Sequence, residues 1–456
     1  MRTVYALSLF AFALVGAACS GTDPYEGSMF QLCDTHLRPL VESGAPTGGV
    51  YAYTGGEGGG ETGHALVYAE QLVALDDVLP HHKHTLFETG SVGKLFTAAL
   101  LAEAVERGEV TFDTPVPEAW GVRAFVEEQG EHPVLLWHLA SHTSGLPRVP
   151  AGLDASSPNP YAGFTREDLH GALGGATPTI RPGSAYAYSN LGYGLLGQIL
   201  ADAAGTDYRT LLRERVLERF MDHATSVVDD RFAHSVAPAH AFGVPTVLWG
   251  DDDALAPAGC VVADALDLLR FLGLTMRAMR ERPGSALAVV TEQRFDTGDG
   301  SGVGLGWHIE PDGTRWHNGS TGGPHAFVAL PAASGRALVV LANDVSGATT
   351  DAAFRLWDAM MGRESAPISV EPAVVWERER IDALVGRYEH AGVALTLTRE
   401  EDRLMARLDG QEAYRLFPTG ERTRSYRVVE ARVRVTDDGA LELEQEGVRT
   451  RLERVE

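Results

Sequence analysis

The spacing of apolar residues changes character several times along the 456-residue chain. "MFQLCDTHLRPLVESG" (29–44) predicts a helix. "GGVYAYTG" (48–55) and "HALVYAEQL" (64–72) are short and β-like, and the glycine-rich turn between them predicts an antiparallel pair. From Ser91 onward, Leu95, Phe96, Ala98, Ala99, Leu100 and Leu101 predict a helix with its C-cap at Gly108. Residues 113–285 read mostly as helices and loops, as in "YGLLGQILADAAG" and "ADALDLLRFLGL". Strand signals then return in "GVGLGWHIE", "TRWHNG", "HAFVALP" and "RALVVLAN", followed by a helix near "DAAFRLWDAMMG". Strands on both sides of a long helical stretch predict one sheet interrupted by a helical subdomain. Residues 363–379 read as a linker. Beyond them, 380–456 alternate polar and apolar residues between turn signals, the pattern of a small all-β, barrel-like module.

Composition adds limits to this picture. The length favours two domains, and 44% hydrophobic with 22% charged residues is normal for globular protein. After Arg2, the apolar run Tyr5–Ala18 is too short to span a bilayer and reads as a signal peptide over 1–18. Gly16, Ala17 and Ala18 precede Cys19 as at a bacterial lipoprotein cleavage site. The expectation is therefore an exported, cell-envelope protein lipidated at Cys19, with 19–28 as a tether; simple secretion is the alternative. A formal charge of −24 disfavours nucleic acid and anionic lipid as partners, leaving membrane contact to the lipid anchor. Cys33 and Cys260 would remain, paired or free.

Of 38 basic residues only Lys83 and Lys94 are lysines. Lys94 stands three residues after Ser91, so on a helix its amine can reach that hydroxyl. A serine needs a base to become a nucleophile; a buried lysine can deprotonate, and arginine does not. At a helix start, unpaired backbone N–H groups also stabilise a developing anion. "TGSVGK" imitates a phosphate-binding loop, but Glu88 would repel phosphate and Leu95 cannot hold Mg²⁺. "HHKH" (81–84) reads as a turn without an acidic partner, Asp251–Asp253 as a solvated loop, and His142 as a loop anchor.

Two further stretches complete a set. "YAYSNLGYGLLGQIL" holds Tyr188 and Asn190 at the start of an apolar helix, and "RWHNGSTGG" holds His317, Asn318 and Gly319 before a glycine-rich turn. Ser-x-x-Lys, Tyr-x-Asn and His-x-Gly in this order resemble the motifs of the serine β-lactamase and penicillin-binding protein superfamily, in its class C-like branch. "LASHTSGLP", "APAGCVVADALDLLRFL" and "GLGWHIE" resemble family stretches too. The resemblance covers about 29–362. It implies an α/β (α+β) fold, an antiparallel sheet flanked by helices with a helical subdomain. The region after it resembles the lipocalin-like β-module appended to some members.

By that resemblance Ser91 is the acylated nucleophile, Lys94 its hydrogen-bonded partner and Tyr188 the phenol that exchanges protons. Asn190 would orient Lys94 and contact the substrate amide. Backbone N–H groups of Ser91 and of Ser320, which follows Gly319, would form the oxyanion hole. His317 stands where classical members carry Lys. A largely neutral imidazole that donates one hydrogen bond favours esters or uncharged peptides over penicillins. The expected reaction is acyl transfer to water on a small ester, amide or peptide, with no metal or organic cofactor. True β-lactamase or D-alanyl-D-alanine carboxypeptidase activity is the alternative within the class, and a catalytically silent binding protein of the same fold the alternative outside it.

Overall fold

The structure, a computed structural model, describes residues 26–42, 50–55, 66–68 and, apart from short interruptions, 84–455. The leader, Cys19 and His81–Lys83 lie outside the described residues.

An eight-stranded antiparallel sheet organises the first 360 residues. Its strands are β1 (Val50–Gly55), β2 (Leu66–Tyr68), β5 (Phe295–Asp296), β6 (Gly302–Val303), β7 (His308–Ile309), β8 (Arg315–Ser320), β9 (His325–Leu330) and β10 (Ala337–Ala342). A separate two-stranded pair joins β3 (Phe87–Glu88) to β4 (Val262–Ala263). The sheet order is β2-β1-β10-β9-β8-β7-β6-β5, with Val50 opposite Ala342 and Gly55 opposite Ala337. The earliest strands therefore pair with the latest, and the intervening chain forms the helical part. β1 and β2 pair antiparallel, as their β-like runs predict.

Both faces of the sheet are covered, which explains why β9 and β10 are buried at every position and, after His325, apolar throughout. Ala326, Val328, Leu330, Ala337, Val339 and Leu341 belong to the large core that contains helices α2 (Gly93–Glu106), α3 (Asn190–Ala204) and α4 (Ala265–Glu281). Phe327, Ala329, Leu338, Val340 and Ala342 pack instead with Cys33, Leu37 and Leu40 of α1 (Glu26–Glu42) and with Ala352, Leu356 and Trp357 of α5 (Ala348–Met360). Cys33 and Cys260 are both free thiols. Burial, reinforced by Asp34, pushes the Cys33 thiol up to about 12.

The helix expected from Ser91 begins differently. Gly90–Val92 form a single 3₁₀ turn and α2 proper starts at Gly93, because Gly90 takes φ +50°. The helix ends at Glu106, and Gly108 follows in the left-handed region at φ +73°.

Residues 386–454 form a closed barrel of eight antiparallel strands in sequential order, from Gly386–His390 to Val448–Arg454. Pairing of Tyr388 with Arg454 closes it. Leu395, Leu397, Leu404, Leu416, Val433, Leu441 and Leu452 fill its interior with side chains, and Trp376 packs into the same core.

Leu341 is fully buried in the middle of the sheet. Leu341→Ala should destabilise the protein by about 2–5 kcal/mol, the cost of lost burial plus a residual cavity, read as a lowered midpoint in urea unfolding.

Candidate active site

The 3₁₀ turn does two things for Ser91. Ser91 lies in the turn and Lys94 three residues on, in the first turn of α2, so the two side chains share one face. The 3₁₀ turn also points the following helix inward, so that α2 is buried almost throughout. Lys94 Nζ donates to Ser91 Oγ at 3.0 Å and to the carbonyl oxygen of Ala258 at 2.7 Å. Burial first, and then the Arg148 charge, hold the Lys94 amine well below its ordinary value. The segment carrying Ala258 runs along α2 as a rail of carbonyls. Thr97 Oγ1 donates to Pro257 O at 2.7 Å, and Thr89 Oγ1 to Val261 O at 2.8 Å.

Close backbone approach explains three glycines here. A Cβ on Gly319 would sit 2.0 Å from Thr89 O and 2.6 Å from Ser91 N; one on Gly90 would sit 2.6 Å from Ser320 N. One on Gly259 would lie 2.9 Å from Gly90 C. Only glycine lets the end of β8 lie against the Ser91 turn, and so the backbone nitrogens of Ser91 and Ser320 are neighbours. Glu88 ties the same regions together: its buried carboxylate accepts from Thr321 Oγ1 at 2.6 Å and from Trp249 N at 2.5 Å.

The second motif arrives from a distant segment. The Tyr188 ring lies 4.9 Å from Lys94 Nζ, centroid to nitrogen. His142 stacks on Tyr188 at 4.1 Å and accepts the Ser189 N–H at Nδ1, 3.0 Å away. His142 is a non-glycine residue at φ +56°, a conformation that must be held by its surroundings. Ser189, not Asn190, caps α3, accepting from Gly192 N at 2.8 Å.

Asn190 departs from the expectation that it orients Lys94. Its Nδ2 donates to Tyr161 Oη at 3.1 Å, and its buried Oδ1 has no partner among the described residues. The Ala258 carbonyl holds the amine instead.

His317 also differs from its expected part. Its Nδ1–H donates to the neighbouring Asn318 carbonyl, leaving Nε2 buried and without a partner among the described residues. Burial, with His308 and Lys94 nearby, keeps the imidazole well below its usual value, so the ring is neutral at pH 7. A neutral ring whose proton is committed at Nδ1 presents a lone pair at Nε2; it accepts a hydrogen bond and does not donate one. His308, 5.1 Å from His317 between centroids, is pushed down to about 4.

Arg148 went unnoticed in the sequence. Its guanidinium carbon lies 4.9 Å from the Tyr188 ring centroid, and its carbonyl accepts Asn190 N at 2.8 Å. Its Nε is buried without a partner among the described residues. The signal was faint: an Arg directly after "HTSGLP", in a chain rich in Arg. His84 also needs correction. It has an acidic neighbour, Asp264, 3.0 Å away and 180 residues later in the chain.

Comparison with known proteins agrees with this geometry. A family model described as Beta-lactamase matches residues 37–359, well over half of the chain. The chain belongs to the beta-lactamase family. Penicillin-binding protein 4 of Amycolatopsis lactamdurans is 26% identical over 339 residues, 68% of this chain and 86% of that protein. A Beta-lactamase of Pseudomonas fluorescens is 25% identical over 349 residues, covering 69% and 93% respectively. The structure of the octameric penicillin-binding protein homologue from Pyrococcus abyssi shares the fold, with a TM-score of 0.59 at 20% identity over 94% of this chain and 99% of that one.

Gly319→Ala should leave the far-UV circular dichroism unchanged but push β8 off the nucleophile turn. Labelling of Ser91 by a fluorophosphonate should slow on the order of 10²-fold, the scale of one lost oxyanion contact.

Proposed function

We propose that this chain is an exported serine hydrolase that acylates Ser91 and passes the acyl group to water, acting on small esters or on D-amino-acid, cell-wall-type peptides. The observation that carries the reading is the buried Lys94 amine, 3.0 Å from Ser91 Oγ and beside the Tyr188 phenol.

In this reading Ser91 Oγ attacks the carbonyl carbon while its proton passes to Lys94 Nζ, which burial keeps able to accept it. The carbonyl oxygen gathers negative charge beside the backbone N–H groups of Ser91 and Ser320. The tetrahedral adduct collapses, the C–O or C–N bond breaks, and the leaving group takes a proton through Tyr188. Water then attacks the acyl-enzyme, giving its proton to the same Lys94–Tyr188 pair and releasing Ser91. The two groups lie close enough to pass a proton between them. Every bond in the cycle is made or broken by side chains of this one cleft. Export with lipidation at Cys19 belongs to the same proposal, and its support is the leader sequence.

His317 supports substrates that present a hydrogen-bond donor to Nε2, an amide N–H or hydroxyl. A second reading, carboxypeptidase or β-lactamase action on a substrate bearing a carboxylate, draws on Arg148. Its guanidinium supplies the permanent cation that the neutral His317 does not, and the likeness to penicillin-binding proteins lends it weight.

A hydrolysis panel of p-nitrophenyl esters, nitrocefin and D-alanyl peptides separates these readings, with Ser91→Ala as the blank. Ser91→Ala should abolish turnover and covalent labelling; full-strength labelling of that variant would refute the assignment. Lys94→Arg keeps the charge but loses the removable proton, and should lower kcat/KM by about 10²–10⁴-fold. Arg148→Gln tests the electrostatics. Removing a positive neighbour raises the Lys94 pKa, so the amine stays protonated to higher pH. The acidic limb of kcat/KM should therefore move upward in pH, with Arg148→Lys close to wild type.

A further inference from the structure

Apart from the nucleophile cleft, three side chains from separate segments converge on one point. Asp264 caps α4: its Oδ1 accepts Asp267 N at 2.8 Å, and its side chain is completely buried. Its other oxygen, Oδ2, faces two imidazoles. His84 Nδ1 lies 3.0 Å away and His223 Nδ1 2.9 Å away. The two rings meet edge to face with centroids 4.5 Å apart, and the three potential ligand atoms all lie within 4.8 Å of one another.

Such a trio approximates one face of a tetrahedron around a small cation. Metal–ligand bonds of about 2.0–2.1 Å imply ligand–ligand edges of about 3.4 Å, so two of the three edges need to open by only a few tenths of an ångström. The surroundings favour this. Asp264 is clamped through Oδ1, which leaves Oδ2 fixed in direction, as supporting hydrogen bonds do for metal-bound carboxylates. The backbone carrying His223 is clamped too: Asp267 accepts Asp222 N at 2.7 Å, His223 N at 2.8 Å and Ala224 N at 2.7 Å. Both imidazoles are partly exposed, so the rings have room to swing and water can complete the coordination. Imidazole with one carboxylate suits Zn²⁺ and its neighbours, and a hard ion such as Mg²⁺ would want more oxygen.

We propose that His84, His223 and Asp264 form a binding site for a divalent transition metal of the Zn²⁺, Co²⁺, Ni²⁺ class, separate from the Ser91 cleft. On binding, each ring carries its proton on Nε2 and gives the Nδ1 lone pair to the metal. The site bears on the nucleophile only through the backbone. His84 lies three residues before β3, and Asp264 directly follows β4. A bound ion would staple that strand pair, whose β3 end leads into the Ser91 turn.

The test uses the full chain, stripped of metal by dialysis against chelator and titrated with Co²⁺ and Zn²⁺. Wild type should bind one Co²⁺ with the visible absorption of a four- or five-coordinate ion, and Zn²⁺ should displace it and raise Tm by several degrees. His223→Ala and Asp264→Asn should lose both the spectrum and the Tm shift. Asn still caps the helix, so Asp264→Asn keeps the fold, and His223 lies partly exposed at a loop. Ser91 labelling by fluorophosphonate should persist in both variants. Absence of stoichiometric binding by wild type would overturn the proposal. So would equal Co²⁺ binding by wild type and His223→Ala, which would assign the signal to other histidines. In either case the carboxylate serves only as acceptor for two imidazole N–H groups.

Discussion

The Ser91–Lys94 hydrogen bond depends on removing one ammonium-sized charge from water. Burying a charged lysine in an apolar helix bundle costs several kcal/mol, and the group relieves the cost by giving up its proton. Arg148 reinforces that outcome, while Ser91 Oγ and Ala258 O accept the amine's hydrogens and keep it satisfied once neutral. Partners fewer than these would leave the amine unsatisfied. A carboxylate at the same spot would hold it as ammonium. The whole apolar body of α2 thus serves to set the protonation state of one nitrogen.

Close packing of main chain is the second constraint. The Ser91 turn, the end of β8 and the segment around Gly259 meet at distances where a single methyl group would collide with backbone. The Thr89 hydroxyl, donating to Val261 O, and the Glu88 carboxylate, accepting from Thr321, lock the same contact. Side chains could have filled this junction only by separating Ser91 from Ser320. The close approach of these backbone segments therefore dictates residue size at Gly90, Gly259 and Gly319.

Much of this was legible in the sequence. Apolar runs at 326–330 and 337–342 marked strands, and alternation after 380 marked a barrel-like module. Ser91, Lys94 and Tyr188 stood out because short spacings and rare residue types carry local information. What escaped notice is long-range or conformational. Nothing near Lys94 in the chain announces Ala258 as its acceptor, and nothing near His84 announces Asp264. The direction in which His317 spends its proton depends on the carbonyl of Asn318 turning toward it. The Asn190 amide could face Lys94 or Tyr161 equally well by composition, and only packing selects Tyr161.

The register between β1 and β10 has a consequence for how the molecule is made. Val50 finds its partner at Ala342, so the sheet cannot close until nearly three quarters of the polypeptide has been synthesised. Such distant pairing makes closure entropically slow. An emerging chain would hold one edge of β1 open, with only β2 beside it, for most of translation.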